Sequence, residues 1–412
     1  MKSFLRLFAV ALLLSASFFY ATKSHASGYL LNEYSVTNMG RAFAGIGVVG
    51  DDLSAIASNP AGMQLFEDKF GVQAGFTIVS LNGNFSGDVI SPVSAKTGAT
   101  DVEIQAVVPN FFSTYSVNDK LKVGFGVYVP FGLGTKYADS SLLNISAVKS
   151  ELQVIELAPS VSYNIWKGLT LGLTANIQNS SVTLTQRHLQ GGDIEISGDT
   201  WAFGGTIGLM YDFGETAYGE STRIGLSYRS QVKHGLEGDM DITLTNMSLE
   251  TTADMYLPNV VTLSAYHKLK SPVGLSATLR YIQWSVFDEL KIENVLNQPA
   301  IEEKWKDTFS AHLGVDWFVH EAITLRAGVA YDMTPIKDAE HRTARIPDND
   351  RLLVSLGLSA MPHENWTLDV GYTHMFLSNA SMNNTHSGVN VKGEYHYDTM
   401  AYLVGFQVQY KF

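Results

Sequence analysis

Alternation with a period of two residues is the feature that most limits what this chain can fold into. At the chain end, Met400, Tyr402, Val404, Phe406, Val408, Tyr410 and Phe412 fall on one side. Ala401, Leu403, Gly405, Gln407, Gln409 and Lys411 fall on the other. The same pattern sets Ile323, Leu325, Ala327, Val329 and Tyr331 against Thr324, Arg326, Gly328, Ala330 and Asp332. It recurs where Trp366, Leu368, Val370 and Tyr372 oppose Thr367, Asp369, Gly371 and Thr373. Side chains of a strand point alternately to its two faces, so each segment reads as a strand with one apolar and one small or polar face. The polar face of a soluble sandwich carries many Lys and Glu, whereas Gly, Ser and Thr dominate here and only 17% of the chain is charged. Such strands suit a wall with lipid on one side and a filled or narrow lumen on the other.

About 14 such segments follow one another, at 69–80, 104–118, 120–131, 150–165, 168–186, 199–213, 221–236, 255–269, 272–286, 304–319, 321–334, 350–361, 364–377 and 398–412. Short connections alternate with long ones at 81–103, 132–149, 187–198, 237–254, 287–303, 335–349 and 378–397. An even strand number and alternating loop lengths are the habit of bacterial outer-membrane barrels, with the short turns periplasmic. Tyr163, Trp166, Trp317, Trp366 and Tyr410 sit near strand ends, as aromatic girdles do. The expected fold is therefore all-β: a transmembrane antiparallel barrel over 69–412, closed so that no backbone group is left unpaired in lipid.

The first 26 residues read as a signal peptide. Lys2 and Arg6 precede an apolar run from Phe8 to Tyr20, and Ser24-His25-Ala26 offers a cut before Ser27. That run is too short for a comfortable transmembrane helix. Losing Lys2, Arg6 and Lys23 with the leader takes the net charge from −12 to −15, which argues against nucleic acid as a partner. The absence of cysteine excludes disulfides and a lipid-anchored cysteine. Residues 27–68 do not alternate and are rich in Gly, Ala, Asn and Asp. They either hang in the periplasm or fold into the lumen as a plug, for which a barrel of about 14 strands has room.

The chain resembles the FadL/TodX family of outer-membrane long-chain fatty-acid and hydrocarbon transporters. The resemblance rests on an ordered set of segments: Gly28-Tyr29-Leu30-Leu31-Asn32-Glu33-Tyr34, Gly40-Arg41-Ala42-Phe43-Ala44-Gly45, Asp51-Asp52, Ser58-Asn59-Pro60-Ala61-Gly62, Tyr228-Arg229-Ser230, Leu257-Pro258, Trp284-Ser285 and Ile346-Pro347-Asp348-Asn349-Asp350-Arg351. It implies a 14-stranded barrel plugged by an N-terminal hatch over 27–68, with Asn59, Pro60 and Ala61 as the hatch motif. Outer loops would collect an apolar ligand, which would leave sideways through the wall into lipid or lipopolysaccharide. It also implies that a shift at Asn59-Pro60, a turn made rigid by proline, opens the path.

Physical reasons attach to the candidate residues. Asp332 and Arg351 point inward on adjacent strands, so a cross-strand ion pair is expected. The resemblance implies that such a pair holds the hatch or lines the ligand route; otherwise it simply fills the lumen. Arg280, Arg326 and His312 also point inward, where an arginine can meet a carboxylate headgroup. Pro130, Phe131 and Gly132 close the third strand, and a proline there marks a kink and lateral opening or merely a strand end. Leu142, Leu143, Ile145 and Val148 either line an outer capture groove or pack against loop 81–103. Phe412 ends an apolar-alternating strand, a form that resembles the signal read by the outer-membrane assembly machinery.

Three other function classes have less support. His374 and Ser378 would lie about 13 Å apart along a strand, too far for a nucleophile and its base, so no enzyme is expected. His386, His396 and Asp398 lack compact ligand spacing, and neither a metal nor any other cofactor is expected. A general porin would share the barrel and Phe412 but would not need residues 27–68 inside it. A transporter of aromatic or other hydrocarbons on the same fold differs only in pocket lining.

Overall fold

A computed structural model describes residues 28–189, 191–217, 219–294, 300–397 and 401–412. The expected leader and its cut site, as well as Asp398 and Met400, lie outside these residues. Fourteen antiparallel strands close into one barrel. They are β1 Phe70–Ser91, β2 Ser94–Ser116, β3 Leu121–Lys136, β4 Lys149–Trp166, β5 Leu169–Arg187 and β6 Asp193–Glu215. Strand β7 runs in two pieces, Ser221–Arg229 and Val232–Ile242, and so does β8, Met247–Leu257 and Val260–Lys268. Next come β9 Val273–Ile282, β10 Thr308–His320, β11 Ile323–Asp332 and β12 Arg351–His363. The last two, β13 (Trp366–Leu377, Ala380–His386) and β14 (Val389–Tyr397, Ala401–Lys411), again have two pieces. Closure comes from β14 pairing with β1, from Gly71↔Lys411 to Ser80↔Tyr402 and again from Gly83↔Tyr397 to Ile90↔Asn390.

The outside of the wall is apolar because lipid faces it. Phe203, Leu279, Leu313, Leu356 and Val370 point outward and are exposed. A belt this apolar has no place on a water-facing surface. Tyr163, Trp166, Trp317 and Trp366 are exposed near the short-turn end, as expected of a girdle. On β14, Phe406 is exposed while Gly405, Gln407 and Gln409 are buried, which is the predicted register.

Four of the seven connections read from the sequence as long loops are strand. Residues 81–103, 187–198, 237–254 and 378–397 continue the walls as hairpins above the membrane, so β1 has 22 residues and β2 has 23. About 9–11 residues are enough to cross a bilayer. Alternation persists there with its apolar phase reversed. Along β1, Phe76 and Ile78 face lipid while Gln73 and Thr77 face the lumen; higher up, Val79, Leu81, Phe85 and Val89 face inward, and Asn84 is exposed. Along β2, Val102, Ile104, Ala106 and Val108 are buried while Asp101, Glu103 and Gln105 are exposed. Above the bilayer the outer face meets water, so the apolar residues turn to the lumen, and a search for apolar-outward strands stops short.

The N-terminal segment forms two short helices, α1 Val36–Met39 and α2 Ala55–Ser58, and a 3-10 turn, Pro60–Leu65. Nearly all of its residues from Gly28 to Met63 are buried, and its helices and 3-10 turn pack on β1, β3–β6 and β12–β14. Isolated helices of four residues have no stability of their own, so contact with the wall holds this segment in place.

Candidate functional site

At its rear, the segment seats directly on strand glycines, Pro60 and Ala61 through their backbone and Asn59 through its side chain. Gly172 and Gly208 are paired across β5 and β6, and Gly225 lies beside them on β7. A Cβ on Gly172 would lie 2.1 Å from Ala61 N, and one on Gly208 would lie 2.0 Å from Asn59 Oδ1. Asn59 accepts from the Ala61 amide at 3.2 Å and donates through Nδ2 to the Leu209 carbonyl at 3.0 Å. This geometry ties Asn59-Pro60-Ala61 closely to β5 and β6. A second row, Gly328, Gly357, Gly371 and Gly405 on β11–β14, admits Arg41, Gly40 and α1 in the same manner. Neither row was singled out from the sequence; the signal was glycine recurring on the lumen face at one level of successive strands.

The middle is tied by charge. Arg41, wholly buried, reaches Asp51 at 2.6 Å and Asp316 at 3.0 Å. Arg326 joins both at 3.0 and 3.1 Å and lies 3.8 Å from Asp369. Burial works against the Asp51 carboxylate, but Arg41 and Arg326 hold it well below the usual range. Beside it, burial and the charge on Asp51 push Asp52 up to about 6. Arg326 therefore does point inward as expected, and the structure spends it on the inserted segment.

At its front, the segment lies along a break in the wall. Strands β2 and β3 pair from Ser116↔Lys122 to Asn110↔Tyr128, and pairing resumes only at Glu103↔Lys136. On its other side, β3 bulges between Tyr128 and Phe131, with Val129-Pro130 carrying the extra residue. The strand does not close at Phe131 and Gly132 as the sequence suggested; it continues to Lys136, because a bulge accommodates a residue that cannot donate to the ladder. Pro109 stands on the β2 side of the break, a residue the sequence reading passed over. Into this break the chain inserts its own Tyr29–Leu31. Leu31 N–H donates to the Pro130 carbonyl at 2.8 Å, and Gly132 N–H donates to the Tyr29 carbonyl at 2.9 Å. Tyr29 is caged by Trp284, Trp305, Phe287 and Phe131, with ring centroids 4.7 to 6.2 Å away. Glu303 accepts from the Trp305 indole at 2.9 Å, and burial pushes its carboxyl up to about 8. Burial likewise raises Glu33 to about 7, partly offset by the Asn32 amide.

The remaining lumen charges separate into two kinds. Asp332 and Arg351 are register partners 3.8 Å apart, and Arg351 also reaches Asp348 at 3.3 Å. Glu156, missed in the sequence, is wholly buried and takes Tyr128, Asn176, Gln178 and Arg229 as donors. His312 is committed to the Ala42 carbonyl at 2.7 Å and the Ser310 hydroxyl at 2.9 Å. Among the described residues, Arg280 donates to Asn32 and, at 3.4 Å, to Tyr34, with Asp332 acting on it at longer range.

Above this level lies a packed apolar cluster. Its inward faces are Val79, Leu81, Phe85, Val102, Ile104 and Met382, among others. Leu143 is fully buried in it, with Leu142 and Ile145 packed alongside and Val148 half-buried. Thr100 bonds Ser141 at 3.0 Å. This loop therefore packs down against the 81–103 hairpin instead of presenting an open groove, because its leucines are covered only there. Loop 335–349 also tucks in, with Arg342 to Asp348 buried and Tyr137 donating to the Ala344 carbonyl at 2.7 Å.

Comparison with known proteins agrees with this geometry. Residues 17–412 match the family model described as outer membrane protein transport protein (OMPP1/FadL/TodX). The chain is 28% identical to outer membrane protein P1 of Haemophilus influenzae, covering 89% of this chain and 90% of that one. It is 24% identical to the long-chain fatty acid transport protein of Escherichia coli K12, covering 98% and 99%. Its fold is similar to a Pseudomonas aeruginosa FadL homologue at TM-score 0.84 and 21% identity, covering 93% and 100%. The Ralstonia pickettii toluene transporter TbuX follows at TM-score 0.65 and 17% identity, covering 93% and 99%.

Proposed function

This chain belongs to the outer membrane transport protein family OMPP1/FadL/TodX, and we propose that it carries long-chain fatty acids passively across the outer membrane to a side exit in its own wall. The observation that carries this reading is the reversal of the lumen lining: apolar side chains face inward above the bilayer, where a general porin would face water. A fatty acid would enter between loop 137–148 and the 81–103 hairpin, where Leu142, Leu143, Ile145 and Val148 form a cover that must part. It would then pass among these apolar side chains and leave through the β2–β3 break at Pro130, Phe131 and Gly132. Residues 28–68 act as the hatch, with Asn59-Pro60-Ala61 as its fixed seat and Tyr29–Leu31 as its moving end. Asp332 with Arg351, and Arg326 with Arg41, brace the hatch, while Arg280 lines the ligand route.

The exit opens onto lipid and lipopolysaccharide. Phe412, whose amide donates to the Phe70 carbonyl at 2.9 Å, would present the last strand to the assembly machinery. An aromatic hydrocarbon is the second reading, favoured by the cage of Trp284, Trp305 and Phe287 that Tyr29 would vacate. Labelled oleate and toluene, given to cells lacking their own transporter, decide between them. Restored oleate uptake that disappears on deleting residues 28–35 supports the fatty-acid reading, and uptake of toluene alone replaces it with the second.

A further inference from the structure

The wall is broken a second time. Strands β6 and β7 pair from Glu215↔Ser221 up to Thr206↔Arg229, and pairing resumes only at Asp199↔Glu237. Residues 200–205 of β6 and 230–236 of β7 lie between these pairs, an inequality of one that repeats residues 104–109 and 129–135 at the β2–β3 break. The two breaks also share a level. Each ends upward at a pair of exposed charged residues, Glu103↔Lys136 in one and Asp199↔Glu237 in the other. Below that pair the outer face of β6 is apolar, with Trp201 and Phe203 exposed. Lipid does not tolerate unpaired backbone, so a ladder break at this level needs a cover. The inserted segment covers the first break. At the lower corner of the second, the Ser230 amide donates to the Gly205 carbonyl at 2.9 Å, and the Gly205 amide donates to Ser230 Oγ at 3.0 Å. Above that corner Val232 lies over Gly204, where a Cβ would stand 2.5 Å from Val232 Cγ2. A glycine inside a strand marks such a close approach. The piece 232–257 that carries Val232 is mounted on two interruptions, at 230–231 in β7 and 258–259 in β8. Asn259 ties them together, accepting from the Tyr228 hydroxyl at 2.6 Å and the Gln231 amide at 2.8 Å.

We propose that the β6–β7 break is a second side exit, through which an apolar ligand in the lumen reaches the outer leaflet without displacing Tyr29–Leu31. This rests on the transport reading above and adds a route to it. The inside of the barrel joins the two breaks. Phe131 and Leu133 at the first, and Ala202, Val232 and Leu236 at the second, belong to one buried apolar cluster that also contains Met255, Leu257 and Val260. Its floor is polar. Tyr128, on the lower lip of the first break, and Arg229, on the lower lip of the second, both bind Glu156. A ligand that stays above this knot therefore meets both breaks. His234, between Val232 and Leu236, is turned to Ser180 at 2.9 Å and Gln178 at 2.8 Å. Leaving by the first break requires parting two backbone hydrogen bonds and emptying the Tyr29 cage. Leaving by the second requires moving Val232 and the lip that carries it.

The test uses cysteine pairs in the full-length chain, which has no cysteine of its own, in cells lacking their own transporter. Leu30→Cys with Phe131→Cys, where the two backbones already form a bridge, locks the first break when oxidised. Gly204→Cys with Val232→Cys locks the second. Under oxidation, the first pair alone should leave part of the labelled oleate uptake, and both pairs together should abolish it. Reductant should restore uptake in each case, which separates a locked wall from a misfolded one. If locking the first break alone abolishes uptake, or locking both leaves as much as locking the first, the second exit is overturned and the transport reading stands. Photoreactive oleate on wild type in bilayers gives an independent readout. It should label residues 200–205 and 230–236, and labelling confined to the β2–β3 side overturns the second exit whatever the cysteine pairs do. A wild type that takes up no oleate overturns the transport reading and the second exit with it.

Discussion

The two ends of the inserted segment are held in different ways. At the rear, Pro60 and Ala61 press their backbone onto Gly172, and the Asn59 side chain presses onto Gly208. At the front, Tyr29–Leu31 touch β3 through two backbone hydrogen bonds and one caged ring. A backbone hydrogen bond contributes about 1 kcal/mol net, so the front contacts separate one at a time. Interlocked backbone cannot separate without displacing a strand. The wall follows the same division. Behind the rear seat β5, β6 and β7 pair without interruption through the glycine row, whereas beside the front the β2–β3 ladder is broken. On the proposed reading, motion belongs to the front and the rear supplies the fixed point against which it works.

The largest expected effect tests the rear. In Gly172→Val the new Cβ would stand 2.1 Å from Ala61 N and 2.2 Å from Pro60 C. Overpacking of this kind costs about 1–3 kcal/mol where neighbours yield, and more where they are backbone. The segment should be displaced, and the variant should conduct ions strongly in planar bilayers where wild type hardly conducts. A silent Gly172→Val would mean that the rear yields as readily as the front. Next in size is Arg41→Met, which leaves Asp51 and Asp316 to share Arg326 alone. Breaking a buried ion pair from one side typically costs about 3–5 kcal/mol. The denaturant midpoint in detergent should fall accordingly, while the slope of the transition stays that of wild type.

How far these two ends were legible in the sequence depended on what each residue had to satisfy. The lower wall could be read because lipid outside imposes one phase of alternation, as on Ile323 to Asp332. The upper hairpins could not, because water replaces lipid there and Val79, Leu81 and Phe85 turn inward. Pro130 was conspicuous, since a proline in a strand needs a reason, but its bulge depends on a partner strand that the sequence does not display. Asp332 and Arg351 could be paired because they flank one connection. Asp316 and Asp51 could not: they meet at Arg41 across 275 and 10 residues of chain. The glycine rows were visible only as composition, since their purpose is the shape of another segment.

A smaller, local effect is expected at the front. Tyr29→Ala empties the cage of Trp284, Trp305 and Phe287. Aromatic truncation in a core costs about 3–5 kcal/mol, and its lower end corresponds to about a hundredfold change in a local opening equilibrium. Hydrogen exchange at the Leu31 and Gly132 amides should quicken by about that factor. Exchange at Asn59 and Gly62, bonded to Ala55 and Asn59 carbonyls in the rear, should not change. If both sets quicken together, the segment moves as one body and the contrast between its ends is void.

The smallest effect is a pH slope confined to the front. Glu303 holds its proton to about pH 8 because burial disfavours its charged form. The folded state thus binds a proton that the unfolded chain releases near the ordinary value of 4.5. This contribution to stability is complete below about pH 4.5 and lost as pH rises to about 8. Glu33, raised to about 7, and Asp52, raised to about 6, act in the same direction lower in the range. The interval from 7 to 8 therefore belongs mainly to Glu303, whose carboxylate bonds the Trp305 wall of the Tyr29 cage. Exchange at Leu31 should accelerate across that interval in wild type and level off above it. Glu303→Gln, which keeps a hydrogen-bond acceptor for Trp305 but cannot ionise, should flatten the interval from 7 to 8 and make the slope between about 4.5 and 7 shallower, leaving there the part due to Glu33 and Asp52. A variant that retains the full slope above pH 7 would transfer this proton to another group and detach Glu303 from the control of the exit.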